Sequence, residues 1–343
     1  MIEFKLPSLG ADMTEGKLLA WHVQPGDSVK RGQVVAVVDT SKAAIDVEIW
    51  QDGVVQELLV PVGDKVPVGT VLATLRAPGE APTVAPAMPK ESATPPATQG
   101  DQASTVAVQT VVPAAPDRQK DMRQAIAAAM SRSKREIPHY YLAETIPMSR
   151  ALDWLQQRNE GLPITGRILP AALLLKAVAR ALKRTPELNG LYLDGQFQPS
   201  AVVHAGVAIA LRGGGLVAPA IHDTQGKSLE QLMRDLADLV RRARAGSLRS
   251  SEISAATITI TNLGDQAIES VFGVIYPPQV ALVGLGGIAV RPWVINGVVC
   301  AQSVLCATLA ADHRVSDGHR GALFLAELRD LLQQPQALAG DVS

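Results

Sequence analysis

The chain has 343 residues, is 47% hydrophobic, and carries 32 Lys+Arg against 33 Asp+Glu and two cysteines. This length suggests two domains and a connection; the near-neutral charge offers no basic field for a polyphosphate, and two cysteines exclude a disulfide scaffold or a cysteine-built zinc module. No apolar run approaches the roughly 18 residues that cross a bilayer, and the Met-Ile-Glu-Phe-Lys start lacks the order of a secretory signal, so a cytoplasmic, reducing setting is expected, with no nucleic-acid or membrane partner.

Residues 1–76 read as short strands separated by turn signals such as Pro25-Gly26-Asp27, Gln51-Asp52-Gly53 and Gly63-Asp64. Gly16, Gly26, Asp27, Val29, Gly32 and Val34 recur 37 residues later as Gly53, Gly63, Asp64, Val66, Gly69 and Val71. A repeated half of this size predicts a two-fold pseudo-symmetric β-sandwich or flattened barrel. Asp39–Ala44 falls between the halves, where a hairpin tip would present Lys42 to solvent.

Residues 77–118 change character. Eight prolines lie between Pro78 and Pro116, and there is no Leu, Ile or aromatic residue. Such a stretch buries too little apolar surface to offset its ordering entropy. Its Ala/Pro composition predicts a flexible, semi-extended linker.

Residues 119–343 are long enough for a substantial core. A helical face of Met122, Ile126, Ala129 and Met130 opens the segment, and a second helix is expected near Ala171–Lys183. A third starts at Ser228, with Gln231 completing a capping box and Gly246 as the stop. Strands are expected at Val202–Leu211, Thr257–Thr261, Gln279–Val290 and Val298–Ala310, and a last helix at Gly321–Leu332. Strands and helices without strict alternation predict α+β, or a mixed sheet covered by helices. Gly213–Gly215 lacks a phosphate-loop frame and reads as a hairpin turn. Cys300 and Cys306 should share one strand face as core filling.

Two motifs carry chemistry. In Asp312-His313-Arg314-Val315-Ser316-Asp317-Gly318 a histidine ends a strand, with acids one residue before and four after. That placement suits a general base, and equally a surface loop with an incidental histidine. In Thr257–Gly264 the threonines alternate with isoleucines. Thr261 emerges at the strand end, where it could donate to an oxyanion, or simply belong to a half-exposed strand. The other five histidines show no metal-ligand spacing, so no metal is expected.

These motifs, with LPSLGADMTEGKL at Leu6–Leu18, PELNG at Pro186–Gly190 and YPPQVALVGLG at Tyr276–Gly286, resemble the dihydrolipoamide acyltransferase components of 2-oxo acid dehydrogenase complexes. The resemblance implies a lipoyl domain at 1–76 with lipoate on Lys42. Biotinyl domains typically flank that lysine with Met, whereas Ser41 and Ala43 stand here. It also implies that 119–343 is a catalytic domain of the chloramphenicol acetyltransferase-like fold. By position, His313 becomes the base, Thr261 the oxyanion donor, Asp317 a positioning acid and Arg123 that acid's partner. The site would lie between subunits of a trimer, with trimers building a larger core.

The implied reaction moves an acyl group, with acetyl expected, from dihydrolipoamide to coenzyme A. A 2-oxo acid decarboxylase and dihydrolipoamide dehydrogenase would be partners. Branched-chain, succinyl or acetoin-derived acyl groups are alternatives, as is a non-catalytic lipoyl-bearing scaffold. Two departures stand out. Tyr276 occupies the position where the family usually has Asn, and no peripheral subunit-binding domain is recognisable between Ala77 and Arg118.

Overall fold

The computed structural model describes residues 2–9, 13–40, 44–76, 115–211 and 214–339. The N-terminal unit has eight strands: β1 (Ile2–Lys5), β2 (Glu15–Trp21), β3 (Ser28–Val29), β4 (Val34–Asp39), β5 (Ala44–Glu48), β6 (Gly53–Leu58), β7 (Lys65–Pro67) and β8 (Val71–Arg76). They form two sheets, β1-β8-β6-β3 and β5-β4-β2-β7. Alternate residues point inward, so Leu18, Val38, Ile45, Val47, Leu72 and Leu75 fill the space between them.

The sequence repeat is a structural repeat: β2, β3 and β4 recur as β6, β7 and β8. Gly26 and Gly63 occupy equivalent turns at φ 100° and 103°. Their N–H groups donate to Val55 O at 2.7 Å and Leu18 O at 2.8 Å, equivalent positions in the opposite halves. Only glycine adopts such a φ without strain.

The C-terminal unit begins with α1 (Ala115–Glu136), β9 (His139–Pro147), α2 (Ser149–Asn159), α3 (Pro170–Leu182) and the hairpin β10 (Gly190–Leu193) and β11 (Gln196–Pro199). Next come β12 (Ala205–Val207), β13 (Ile209–Ala210), β14 (Leu216–Val217), β15 (Ala220–Ile221), α4 (Leu229–Ala245), β16 (Leu248–Arg249) and α5 (Ser250–Ser254). The chain closes with β17 (Ile258–Asn262), β18 (Ala281–Leu285), β19 (Ala289–Ile295), β20 (Val298–Asp312), α6 (Gly318–Gln333) and α7 (Gln336–Ala339).

The main sheet runs β15-β12-β17-β18-β20-β19, with β9 also paired to β20. The pairs β12/β17 and β17/β18 are parallel and the remaining pairs antiparallel. Helix α3 is buried on nearly every side, between α4, α6 and α7. Its Lys176 is buried too, and Nζ donates to Gln225 O at 2.9 Å and to Lys227 O. Capping a buried ammonium with carbonyls in this way offsets part of its desolvation cost. A mixed sheet covered by helices is the expected architecture.

The details differ from the sequence reading in four places. Helix α1 starts at Ala115, inside the predicted linker, because Pro116 fits a first helical turn. The run predicted over Val202–Leu211 breaks into β12 and β13, and the run over Gln279–Val290 into β18 and the start of β19. At α4 only half the capping box forms. Ser228 Oγ accepts from Gln231 N–H at 3.2 Å, while the Gln231 side chain turns to Asp235 and Arg234. The predicted Gly213–Gly215 turn joins the antiparallel β13 and β14, although Gly213 lies outside the described residues.

Cys300 and Cys306 are both half-buried free thiols. Among the described residues no helix is long and apolar enough to cross a membrane, and no cluster could hold a metal ion.

Replacing Gly63 by Ala should cost the N-terminal unit about 1–3 kcal/mol through the positive φ and leave the C-terminal unit's unfolding unchanged. Urea unfolding followed separately by the tryptophans of each unit measures this.

Candidate active site

His313 follows the last residue of β20, in a turn held by its neighbours. Asp312 is fully buried. Its Oδ1 accepts from the Arg314 backbone N–H at 2.9 Å and Nε at 3.0 Å, and its Oδ2 accepts from Nη2 at 2.7 Å. Such a bidentate, charge-assisted pair fixes geometry as well as charge. The Arg314 guanidinium lies 4.0 Å over the Tyr192 ring, and its pKa is raised first by its bond to Asp312. The His313 N–H donates to Pro138 O at 2.9 Å. With the backbone pinned on both sides, the His313 ring is left exposed, edge-on to Tyr140 at 5.3 Å between centroids. The Tyr140 hydroxyl pairs with Ser316 Oγ at 2.8 Å. Tyr140, Tyr192, Arg314 and Ser316 were not singled out from sequence; Arg314 and Ser316 lie inside the histidine motif itself.

Asp317 caps α6, its Oδ1 accepting from Arg320 N–H at 3.0 Å. The carboxyl is held below its usual range first by that N–H, then by the His319 N–H and the charges of His319 and His313.

On β17 the alternation is real, but both faces are buried through Ile260, so this is not a half-exposed strand. Thr257 Oγ1 donates to Asn189 Oδ1 at 2.6 Å, and Thr259 Oγ1 to Gln279 Oε1 at 2.6 Å. The Asn of PELNG and the Gln of YPPQ therefore satisfy the two buried hydroxyls. Thr261, the last of the three, is only half-buried at the strand's open end. Beside it in the ladder is Gly284. A Cβ there would lie 2.2 Å from Val271 O and 2.4 Å from Thr308 Oγ1, so only glycine lets the 268–273 segment cross β18.

His313 and Thr261 do not meet within one chain. Thr261 pairs with Gly284, Gly284 with Thr308, and His313 lies beyond the end of β20. At about 3.3 Å per residue and 4.8 Å per strand, this puts them roughly 15–20 Å apart, at opposite ends of the sheet. Arg123 does not reach Asp317 of its own chain either. The helix rise from Arg123 to Glu136 carries it roughly 20 Å from the end of α1 that adjoins His139, the residue paired with Asp312. At that far end Met122 packs on Gly215, and Arg123 is exposed. The single chain thus presents His313 with Asp317 at one end of the sheet, and Thr261 at the other.

Lys42 lies outside the described residues. The described pair Asp39↔Ala44 closes the β4–β5 ladder on either side of it in sequence. Lys42 is the one amine between Asp39 and Ala44 in the sequence, a residue type that fits an amide-linked prosthetic acid.

Comparison with known proteins follows the same division. The family described as "2-oxoacid dehydrogenases acyltransferase (catalytic domain)" matches residues 116–339, and that described as "Biotin-requiring enzyme" matches 2–75. The chain belongs to the 2-oxoacid dehydrogenase acyltransferase family, as an acyltransferase preceded by a lipoyl domain, the carrier of covalently bound lipoate. A curated relative, the dihydrolipoyllysine-residue acetyltransferase component of the pyruvate dehydrogenase complex of Zymomonas mobilis, is 26% identical, covering 97% of this chain and 98% of the relative. That alignment spans 433 positions, so the relative carries segments that this chain lacks.

Among solved structures, the probable dihydrolipoamide acetyltransferase of Listeria monocytogenes is 27% identical with a TM-score of 0.58, covering 62% of this chain and 92% of that one. The dihydrolipoamide acetyltransferase of Azotobacter vinelandii is 28% identical with a TM-score of 0.59, covering 63% and 90%. That structure concerns the role in catalysis of a serine, a histidine 52 residues later and an asparagine four residues beyond.

Three histidines of the C-terminal unit are held below their ordinary value of 6.5, in each case first by burial. His139 is also locked as a neutral ring, with Nδ1 beside Ile137 O at 2.8 Å and Nε2 accepting from Ile275 N–H at 3.1 Å. The unfolded chain therefore takes up protons first. Stability is complete above about pH 6.5 and falls as pH drops from there toward the depressed values. Carboxylates held low by arginines, such as Glu187 and Glu230, lose their contribution only below about 4.5. The melting temperature of the C-terminal unit should fall between about pH 7 and 5.5, and His139→Gln should flatten that slope; calorimetry across this range provides the check.

Proposed function

We propose that the protein is the acetyltransferase of a pyruvate dehydrogenase complex, carrying its acetyl group on lipoate at Lys42 and passing it to coenzyme A at a site shared by two subunits. The observation that carries this is a coincidence of spacing. Thr261, His313 and Asp317 are separated by 52 and four residues, as are the serine, histidine and asparagine of the Azotobacter enzyme. The whole-length match to pyruvate dehydrogenase components supports acetyl as the group transferred.

Lipoate on Lys42 would supply a thiol that bears the acetyl group as a thioester. The protein's own residues then handle one proton and one oxyanion. A thiol with an ordinary pKa near 8.5 is mostly protonated at neutral pH, so a base raises the thiolate fraction. His313, exposed on its pinned turn, takes the proton of the coenzyme A thiol. The thiolate attacks the thioester carbonyl, and Thr261 of a neighbouring subunit donates to the tetrahedral oxyanion. His313 would then return the proton to the carrier thiol released as the carbon–sulfur bond breaks. Asp317 positions the end of the histidine turn through its cap on α6. Arg123 of a neighbouring subunit is the candidate partner for the exposed Asp317 carboxylate.

Self-assembly is also supported by surface chemistry. Val290, Val294 and Val299 share one face of the β19–β20 hairpin and are 62–68% exposed, an apolar strip of the kind that marks an interface. Trimers, and a larger core built from them, would cover it. The partners are the decarboxylase that loads the arm and the dihydrolipoamide dehydrogenase that reoxidises it, in a cytoplasmic setting. The solved cubic core of a pyruvate dehydrogenase complex is 27% identical to this chain.

His313→Ala should lower kcat by roughly 10²–10⁴, and Thr261→Ala by roughly 10²–10³, with melting temperatures unchanged. Steady-state transfer from acetyl-CoA to free dihydrolipoamide tests both. A change confined to KM would make Thr261 a binding residue, and an unchanged kcat in His313→Ala would remove the base from the account.

A further inference from the structure

β16 has two residues and one strand partner, which is β5 of the lipoyl domain. The two are parallel, with Leu248 opposite Ile45 and Arg249 opposite Asp46. Just past the ladder, Glu48 N–H donates to Ser250 Oγ at 3.1 Å, and Glu48 Oε2 accepts from Ser251 N–H at 3.2 Å. Glu48 and Ser250 are both buried by this exchange. Leu248 belongs to the core of the catalytic domain, and Ile253 packs against the cores of both units. The edge is braced from behind, because Glu252 accepts from Arg249 N–H at 2.9 Å and from Arg242 Nη1 at 2.6 Å.

An edge strand offers unpaired N–H and C=O groups, and adding a strand to it is a general mode of docking. Here the added strand also places Asp46 opposite Arg249 in the ladder. Two ladder positions and two side-chain bonds make a weak contact. A tethered domain at an effective concentration on the order of millimolar is enough to populate one.

The direction of the pairing decides what the contact does. β5 runs parallel to β16, so its Ala44 end, the end nearer Lys42 in sequence, points back toward Gly246. β16 continues the other way, through α5, to the start of β17, and Thr261 is near the far end of that strand. His313 is at the end of β20, two strands beyond β17. Seated here, β5 turns its Ala44 end away from the α5–β17 path toward Thr261, and α5 packs at β15, four strands and roughly 19 Å from β20 and His313. We propose that β16 is a resting dock for the chain's own lipoyl domain, which adds β5 to this edge, latches it through Glu48, and must leave it before acyl transfer.

Hydrogen exchange on the full, lipoylated chain tests this without relying on catalysis, so it can fail independently of the proposed activity. The Glu48 amide and the Leu248–Ser251 segment should be protected in the wild type. Glu48→Ala and Ser250→Ala should each speed exchange at both places on the order of tenfold, while β17 and β20 keep their protection. Acetyl transfer from the tethered arm should be no slower in either variant. Fast exchange at these amides in the wild type, or exchange indifferent to both substitutions, would overturn the dock. Faster exchange accompanied by slower transfer would overturn its resting role, because the contact would then belong to the productive encounter.

Discussion

Thr261 is paired through Gly284 to Thr308, and that register governs how the molecule can work. Because β20 is antiparallel to β18 and β17, it runs on from Thr308, level with Thr261, toward the other end of the sheet, where it delivers His313. The hydroxyl and the imidazole are fixed to opposite ends of one rigid ladder. A shift by one residue would exchange the two buried faces of β17 and part Thr257 from Asn189 and Thr259 from Gln279, so flexing the sheet cannot bring them together. A site that needs both groups has to take them from two copies of the chain. On the proposed function, self-association is part of the chemistry rather than a packaging device.

The rest of the C-terminal unit serves the two ends of that ladder. At one end, Asp312 and Arg314 grip each other around the histidine, and Asp317 starts the helix that follows, so a surface imidazole is held without being buried. At the other end, Asn189 and Gln279 take up the hydroxyls of Thr257 and Thr259, which lets a threonine-rich strand run through the core. Thr261, past the buried stretch, has its hydroxyl left for a ligand or a neighbour. The glycine at 284 lets the 268–273 segment pass close over the sheet beside it.

Much of this was legible in the residues. The 37-residue repeat predicted the two-fold β-sandwich because glycine turns at positive φ recur where the chain must make the same corner twice. The helices were legible through apolar spacing and through Ser228 and Gly246 at the ends of α4. His313 and Thr261 stood out because each ends a strand of strong β pattern. What sequence did not disclose were partnerships between distant residues: Asn189 with Thr257, Gln279 with Thr259, Tyr140 with Ser316. These depend on which strands become neighbours, and no local pattern encodes that. The β5–β16 contact was invisible for the same reason, since two residues are too few to read as a strand. Arg123 illustrates the opposite limit: a motif match named its partner, but the geometry of one chain keeps the two apart.

Subunit complementation tests the shared site most directly. Chains carrying His313→Ala and chains carrying Thr261→Ala are unfolded together, mixed in equal amounts, reassembled and assayed for acetyl transfer. If each site takes its imidazole from one chain and its hydroxyl from the next, about one site in four regains both groups in a random cyclic assembly, and activity should rise to about a quarter of the wild-type level. Activity no higher than the mean of the two inactive variants would mean that each chain builds its site alone, contrary to the separation fixed by the β17–β18–β20 register.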